Sequence, residues 1–293
     1  MGYLFAIITS VFFTAYTIPK KISKQTPSRY SLFQAIGLFG ASLIAYLVHV
    51  LVRREAAETL LDPKLLFMAL SGAAWFFGCI FFFRAIDSMG LSQSNQWKNF
   101  QGPFGTVFNL LFLAEYQQVN LFLVSVSCIL ILVSAMVLTV KKEGDQKFSY
   151  IGILYALIAA VLFGFNSMLL KYGTNQGFVY SQQVVHSGTV LICAIVYLLV
   201  TEHSISCIKN INKKDNFLGV LGGIIFYGAS FFSLHAYSLL PGSITFTIIQ
   251  LNSVWTILAG VLIFKEIDFK KNWGRIVMGI VFAVAGVLIL MQA

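Results

Sequence analysis

Apolar stretches about as long as a bilayer is thick recur from one end of this chain to the other. A spanning helix needs roughly 20 mostly apolar residues, and ten such runs can be read: Tyr3–Pro19, Ser31–Val52, Lys64–Ile86, Ser92–Leu113, Leu121–Val140, Ile151–Leu170, Ser181–Thr201, Phe217–Ser238, Ser243–Phe264 and Trp273–Met291. Only 11% of the residues are charged, against roughly 25% in soluble domains. The expected fold class is an all-α membrane protein with ten transmembrane helices, and no stretch between the runs is long enough for a soluble domain. The first run has no Lys or Arg before it and no small-residue cleavage site after it, so a permanent helix is expected, not a signal peptide.

The polar segment 141–148 (KKEGDQKF) divides the chain into two halves, 1–140 and 149–293. The halves look like copies. Gly2-Tyr-Leu-Phe-Ala matches Gly152-Ile-Leu-Tyr-Ala, and Lys21 falls against Lys171. Arg84-Ala85-Ile86 lies against His235-Ala236-Tyr237, Ser92 against Ser243, Asn99 against Gln250, Gln101 against Asn252 and Glu115 against Glu266, all at one offset of 151 residues. Each half holds an odd number of runs, so the second would enter the membrane from the opposite side. Two inverted five-helix repeats are therefore expected, an arrangement that secondary transporters use around a midplane site.

The net charge of +9 does not point to nucleic acid, because the basic residues lie in short loops between apolar runs. Fifteen Lys and Arg, among them Lys20, Arg84, Lys141, Lys213 and Lys271, fall on one side; Arg53, Arg54, Lys64 and Lys171 fall on the other. The positive-inside rule then predicts extracytoplasmic termini and a cytoplasmic linker in a plasma-membrane protein. Cys79, Cys128, Cys193 and Cys207 show no paired spacing and read as small buried residues.

The fourth run carries most of the chemistry. On a helical projection Ser94, Asn95, Lys98, Asn99, Gln101, Gly102, Gly105, Thr106 and Asn109 share one face, while Phe100, Phe104, Val107 and Leu111 take the other. Lipid cannot satisfy amides or an ammonium, so the polar face must look into protein or water. Such groups also serve interhelical bonding. The ninth run repeats the pattern with Thr245, Thr247, Gln250, Asn252, Ser253 and Thr256. Asn95, Lys98, Asn99, Gln101, Gln250 and Asn252 are the first candidates for substrate binding, joined by Gln34, Asn166 and Gln183 as other intramembrane amides and by Trp75 and Tyr227 as stacking platforms. His186, His235 and Lys98 are candidates for coupling to a gradient. Pro103 is expected to free the Asn99 carbonyl toward the polar face; Pro19 could do the same to the Ala15 carbonyl, but its simpler reading is that it ends the first helix before the basic loop.

No Asp or Glu lies mid-span, which disfavours a site for a bare cation and favours a polar neutral or anionic ligand. Neither a phosphate loop, nor metal-spaced His and Cys, nor a nucleophile–base pair is present, so no cofactor, metal or catalysis is expected.

Trp75-Phe-Phe-Gly78, Ala85-Ile-Asp-Ser-Met-Gly-Leu-Ser92 opening the fourth run, Ala114-Glu115-Tyr116 closing it, and Phe264-Lys-Glu266 together resemble the drug/metabolite transporter superfamily. Within it the chain is similar to the glucose/ribose uptake branch, from which it departs at Asn95-Gln-Trp-Lys-Asn99, where that branch has small and proline-containing sequence. The resemblance implies ten helices in inverted halves and transport of a small polar metabolite, sugar-like before others, driven by a proton or ion gradient and not by ATP. An amino-acid or drug exporter, a quaternary-amine carrier and a non-transporting scaffold or receptor stay open, as do monomer and homodimer.

Overall fold

The computed structural model describes residues 1–53, 60, 62–89, 94, 97–138, 149–174, 179–202, 213–263 and 269–293. Every regular element among them is helical: α1 (Gly2–Ala15), α2 (Thr17–Ile22), α3 (Pro27–Arg53), α4 (Leu66–Met89), α5 (Gln101–Phe112), α6 (Leu121–Leu138), α7 (Tyr150–Thr174), α8 (Val179–Glu202), α9 (Lys213–Leu239), α10 (Gly242–Ile249), α11 (Asn252–Leu262) and α12 (Phe269–Leu290). Nine helical segments among the described residues are long and apolar enough to cross a membrane, with α1–α2 and α10–α11 each counted as one. The remaining crossing is α5, whose approach lies partly outside the described residues. The linker 141–148, Asn95 and Phe264-Lys-Glu266 lie outside them too.

Short polar residues start the helices where the apolar runs begin. The Asp62 carboxylate accepts from Lys64 N at 2.9 Å, and Asn120 Oδ1 accepts from Phe122 N and Leu123 N at 3.1 and 3.2 Å. Ser149 Oγ accepts from Gly152 N at 3.1 Å. Each satisfies a backbone donor that the first turn of a helix leaves without a partner.

The first run departs from expectation. Pro19 does not end it; α1 stops at Ala15, the chain turns at Tyr16, and Pro19 is the third residue of α2. A proline tolerated in a first turn has no hydrogen bond there to lose, so the break falls just before it.

Helix packing follows the sequence repeat. In chain order α1, α3, α4, α5 and α6 correspond to α7, α8, α9, α10–α11 and α12. The close pairs α4–α7 and α1–α9, α3–α9 and α8–α4, and α5–α7 and α10–α1 exchange when the correspondence is applied; α3–α8, α6–α12 and α5–α10 map onto themselves. The main apolar core centres on Trp75 and Phe226, 151 positions apart, whose rings pack with centroids 4.3 Å apart. Gly72 on α4 lies against the His186 carbonyl, and Gly223 on α9, again 151 positions on, lies against the Gln34 carbonyl. A Cβ at either would collide with backbone, which cannot rotate aside.

Gly72→Ala and Gly223→Ala should therefore each destabilise the protein by about 1–3 kcal/mol, the usual cost of overpacking. Gly40→Ala, with nothing within 4 Å of the added carbon, should leave thermal unfolding in detergent unchanged.

Candidate functional site

Two crossings are interrupted, and at matched residues. In the fourth, Phe100 N donates to Trp97 O at 3.2 Å and Gly102 N to Asn99 O at 3.2 Å. In the ninth, Leu251 N donates to Ile248 O at 3.0 Å and Ser253 N to Gln250 O at 3.1 Å. Both bonds span three residues in place of four, and all four positions in one turn sit 151 residues from those in the other. The Asn99 carbonyl is therefore not freed by Pro103, as the sequence suggested; Gly102 N takes it in the tightened turn. The ninth crossing has Val254 where the fourth has Pro103 and still breaks, so proline is not the whole cause.

The interrupted helices face each other. Gln101 Nε2 donates to Gln250 Oε1 at 2.9 Å, with both residues buried. One helical turn away Thr106 and Thr247 share a hydroxyl bond of 3.1 Å. Asn109 Nδ2 continues the ladder to Ser167 Oγ on α7 at 3.1 Å. Asn99, Gly102, Pro103, Thr247 and Gln250 line a crevice closed by α6 that leaves room for about one water molecule. The opposite face of α5 is exposed at Val107 and Leu111, as the projection predicted. Lys98 is half-buried, with Nζ 4.8 Å from the centre of the Phe82 ring, a cation–π contact. The Asn252 carbonyl accepts from Thr14 Oγ1 on α1 at 2.9 Å.

Other candidates are placed elsewhere. Ser71 Oγ donates to Asn166 Oδ1 at 2.7 Å and lies 3.1 Å from His186 Nδ1. A serine has one proton to give; with that proton on Asn166 Oδ1, a neutral His186 ring donates through Nδ1 and leaves Nε2 as a lone-pair acceptor. Gln183 Nε2 donates to Ser230 Oγ at 2.9 Å. Gln34 is buried on α3. His235 bonds the Phe231 carbonyl through Nδ1 at 2.9 Å and packs among Phe5 and Phe231. Tyr227 lines an aromatic groove with His49, Tyr180 and Phe231, and Trp75 is core.

At the termini end of the bundle sits an arrangement built on Glu115, which the sequence marks as a repeat position and as part of the Ala114-Glu115-Tyr116 motif but not as a contact. Ala114, at φ 53°, turns the chain so that Glu115 is buried against the start of α10. Its carboxylate accepts from Gly242 N at 2.5 Å and Ser243 N at 2.8 Å, anionic charge at a helix N-terminus. Lys171 Nζ donates to the Tyr237 and Leu240 carbonyls at 2.5 and 2.9 Å, so both ends of the α9–α10 corner are held. The Ser71 contact was also missed; its signal was a small hydroxyl beside the interface glycine Gly72.

A family model for a sugar transport protein matches residues 38–293. The chain belongs to the sugar transport protein family. A candidate sugar uptake protein of Listeria monocytogenes is 22% identical over 98% of both chains, and one of Listeria innocua is 24% identical over the same share. Another, from Streptococcus pyogenes, is 26% identical over 88% of both. One solved crystal structure superposes on this family member with a TM-score of 0.74 at 16% identity, covering 98% of this chain and 95% of the other, which speaks for the fold alone.

In this sugar transport family member the buried Gln101–Gln250 contact can be tested by a double-mutant cycle. Gln101→Leu and Gln250→Leu should each cost about 1–3 kcal/mol by stranding the other amide. The double variant should be less destabilised than the sum of the two, read from unfolding in detergent.

Proposed function

We propose that this protein is a secondary transporter that moves a small polyhydroxylated, sugar-like solute by alternating access around the Gln101–Gln250 contact. The observation that carries the reading is the pair of matched helix breaks whose amides meet in the protein interior. Amides offer both donors and acceptors, which suits hydroxyl groups that do both. Discontinuous helices that meet at a repeat interface are where such transporters place substrates. The matched turns, the exchangeable helix packing and the Trp75–Phe226 pair support an inverted relation between residues 1–140 and 149–293. The names of the Listeria and Streptococcus relatives support sugar as the solute class. A quaternary-amine cage finds little support, because Trp75 is buried with its ring packed on Phe226.

In this mechanism the solute displaces the Gln101–Gln250 bond and takes up both amides, with Lys98 adding donors from the turn. The Glu115 carboxylate and Lys171 hold the α9–α10 corner, and α10 leads directly to Gln250. Release of that corner opens the termini face while the opposite face closes. A proton or ion gradient drives the cycle. The plasma membrane is the proposed location, with extracytoplasmic termini supported by the loop-charge bias.

Uptake of labelled D-glucose and D-ribose into cells deficient in their own sugar uptake tests the reading. Gln101→Ala, Gln250→Ala and Lys98→Met should each lower apparent affinity about ten- to a hundred-fold, the value of one or two charge-assisted or substrate-facing bonds. Leu111→Ala on the exposed face should behave as wild type. Uptake of both sugars no better than in cells lacking the protein overturns sugar transport.

Orientation has its own measurement. Gly144→Cys, in a background without other cysteines, should resist a membrane-impermeant thiol reagent in intact cells and react once the membrane is opened. Labelling in intact cells reverses the topology.

A further inference from the structure

Among the described residues, eleven buried side-chain polar atoms have no hydrogen-bond partner within the protein, and seven of them lie on two helices. Tyr30 Oη, Ser31 Oγ and Gln34 Nε2 are on the first turns of α3; Ser181 Oγ, Gln182 Oε1, Gln183 Oε1 and His186 Nε2 are on the first turns of α8. All seven residues are at most 5% exposed. The two helices correspond in the sequence repeat, with Tyr30-Ser31 falling against Tyr180-Ser181. The Gln34 and His186 carbonyls are also the two against which Gly223 and Gly72 are pressed. Counting crossings, α3 begins on the face opposite the termini and α8 begins on the face that carries them. The two polar sets therefore occupy equivalent places at opposite ends of the bundle.

Buried polar atoms are almost always paired with protein or water. A set left unpaired at each end, on matched helices, is what a closed conformation leaves behind when two water-filled approaches are shut. Resting on the transport reading above, we infer that the first turns of α3 and α8 line two access vestibules for a polyhydroxylated solute, opened alternately, one at each face. Gln34 at one end and Gln183 with His186 at the other supply the amide and imidazole groups that the solute's hydroxyls meet on the way to Gln101 and Gln250. His186 is the most specific of these. Ser71 lies 3.1 Å from Nδ1, while Nε2 is buried without a protein partner and free to meet a solute hydroxyl. On the helices packed against α8, five charged or imidazole groups are engaged elsewhere: Lys171 at the Tyr237 and Leu240 carbonyls, Arg84 at Tyr197, Arg29 at Glu202, His49 on Tyr180 and His235 at Phe231. Asp87 and Lys213, Lys214 and Asp215 lie at the far ends of α4 and α9. The latch formed by Glu115 lies at the same face as the α8 set, so its release should open that vestibule and shut the other.

Thiol accessibility tests this without knowledge of the native solute. Ser31→Cys, Ser181→Cys and Ser42→Cys are placed singly in a background lacking Cys79, Cys128, Cys193 and Cys207, and alkylated with N-ethylmaleimide in proteoliposomes. Ser42 is equally buried on α3 but is bonded to the Leu38 carbonyl at 2.8 Å and lies outside either set. The cysteines at 31 and 181 should react on the order of tenfold faster than the one at 42, because their sites open. Adding Glu115→Gln should raise the rate at 181 and lower it at 31. Rates equal to that at 42, or rates at 31 and 181 that rise together, overturn the inference. If either serine variant is not recovered as monodisperse protein, Gln34→Cys and Gln182→Cys give the same pair of readings. D-glucose and D-ribose are then added as probes. Opposite changes at the two positions support both readings, whereas reciprocal response to Glu115→Gln with no response to either sugar leaves the vestibules standing and counts against sugar as the solute.

Discussion

A backbone donor or acceptor without a partner is expensive in a bilayer, and this cost governs where a crossing helix can be interrupted. The breaks at residues 99–100 and 250–251 are tolerated because protein surrounds them. Each turn recovers hydrogen bonds by tightening to three-residue spacing, and neighbouring helices cover the rest. On one side α1 brings Thr14 Oγ1 to the Asn252 carbonyl; on the other α7 brings Gly164 against the backbone of Gly105. Thr14 and Gly164 are 150 positions apart and Gly105 and Thr256 are 151 apart, so the same place in the repeat is solved once by a hydrogen bond and once by close backbone approach. Once the breaks are enclosed, their side chains have only each other to meet, and the Gln101–Gln250 bond follows.

The two ends of the molecule are not described alike. At the termini face Glu115 and Lys171 grip the α9–α10 corner with a carboxylate on backbone N–H groups and an ammonium on backbone carbonyls. These are charge-assisted bonds, worth more than neutral ones. They act on main chain and so tie the corner to the start of α10. The residues that match Glu115 and Ser243 in the repeat, Glu266 and Ser92, lie outside the described residues, whereas Lys21, the match to Lys171, lies at the end of α2.

Much of this was legible in the sequence because a bilayer enforces long apolar runs and punishes polar residues within them. The ten runs, the polar face of the fourth and the pairing of Asn99 with Gln250 all follow from that rule. What the rule does not encode is which polar residues meet. Gln101 corresponds to Asn252 in the repeat, but of the two residues expected opposite it, Gln250 and Asn252, it is Gln250 that it bonds. Ser71, which bonds Asn166 and lies 3.1 Å from His186, has as its sequence signal only a small hydroxyl next to Gly72, too weak to stand out in an apolar run. The position of the first break was misread for a related reason: Pro19 marks a discontinuity, but its ring constrains the preceding turn, so the chain bends at Tyr16.

The balance of these terms bears on how easily the molecule can change state. A buried polar group without a partner costs about 1–3 kcal/mol, and several such groups lie on α3 and α8. Each charge-assisted bond at the α9–α10 corner returns about 1.5–3 kcal/mol. In the cycle proposed above, these polar groups would favour opening and the bonds at the corner would oppose it, by amounts of the same order. States separated by only a few kcal/mol exchange populations in response to a modest difference in ligand affinity. A solute that satisfies even two or three of the unpaired groups supplies a difference of that order. In the transport cycle proposed above, buried polar groups without a protein partner, a defect in a protein built only for stability, would keep the closed state from being a trap.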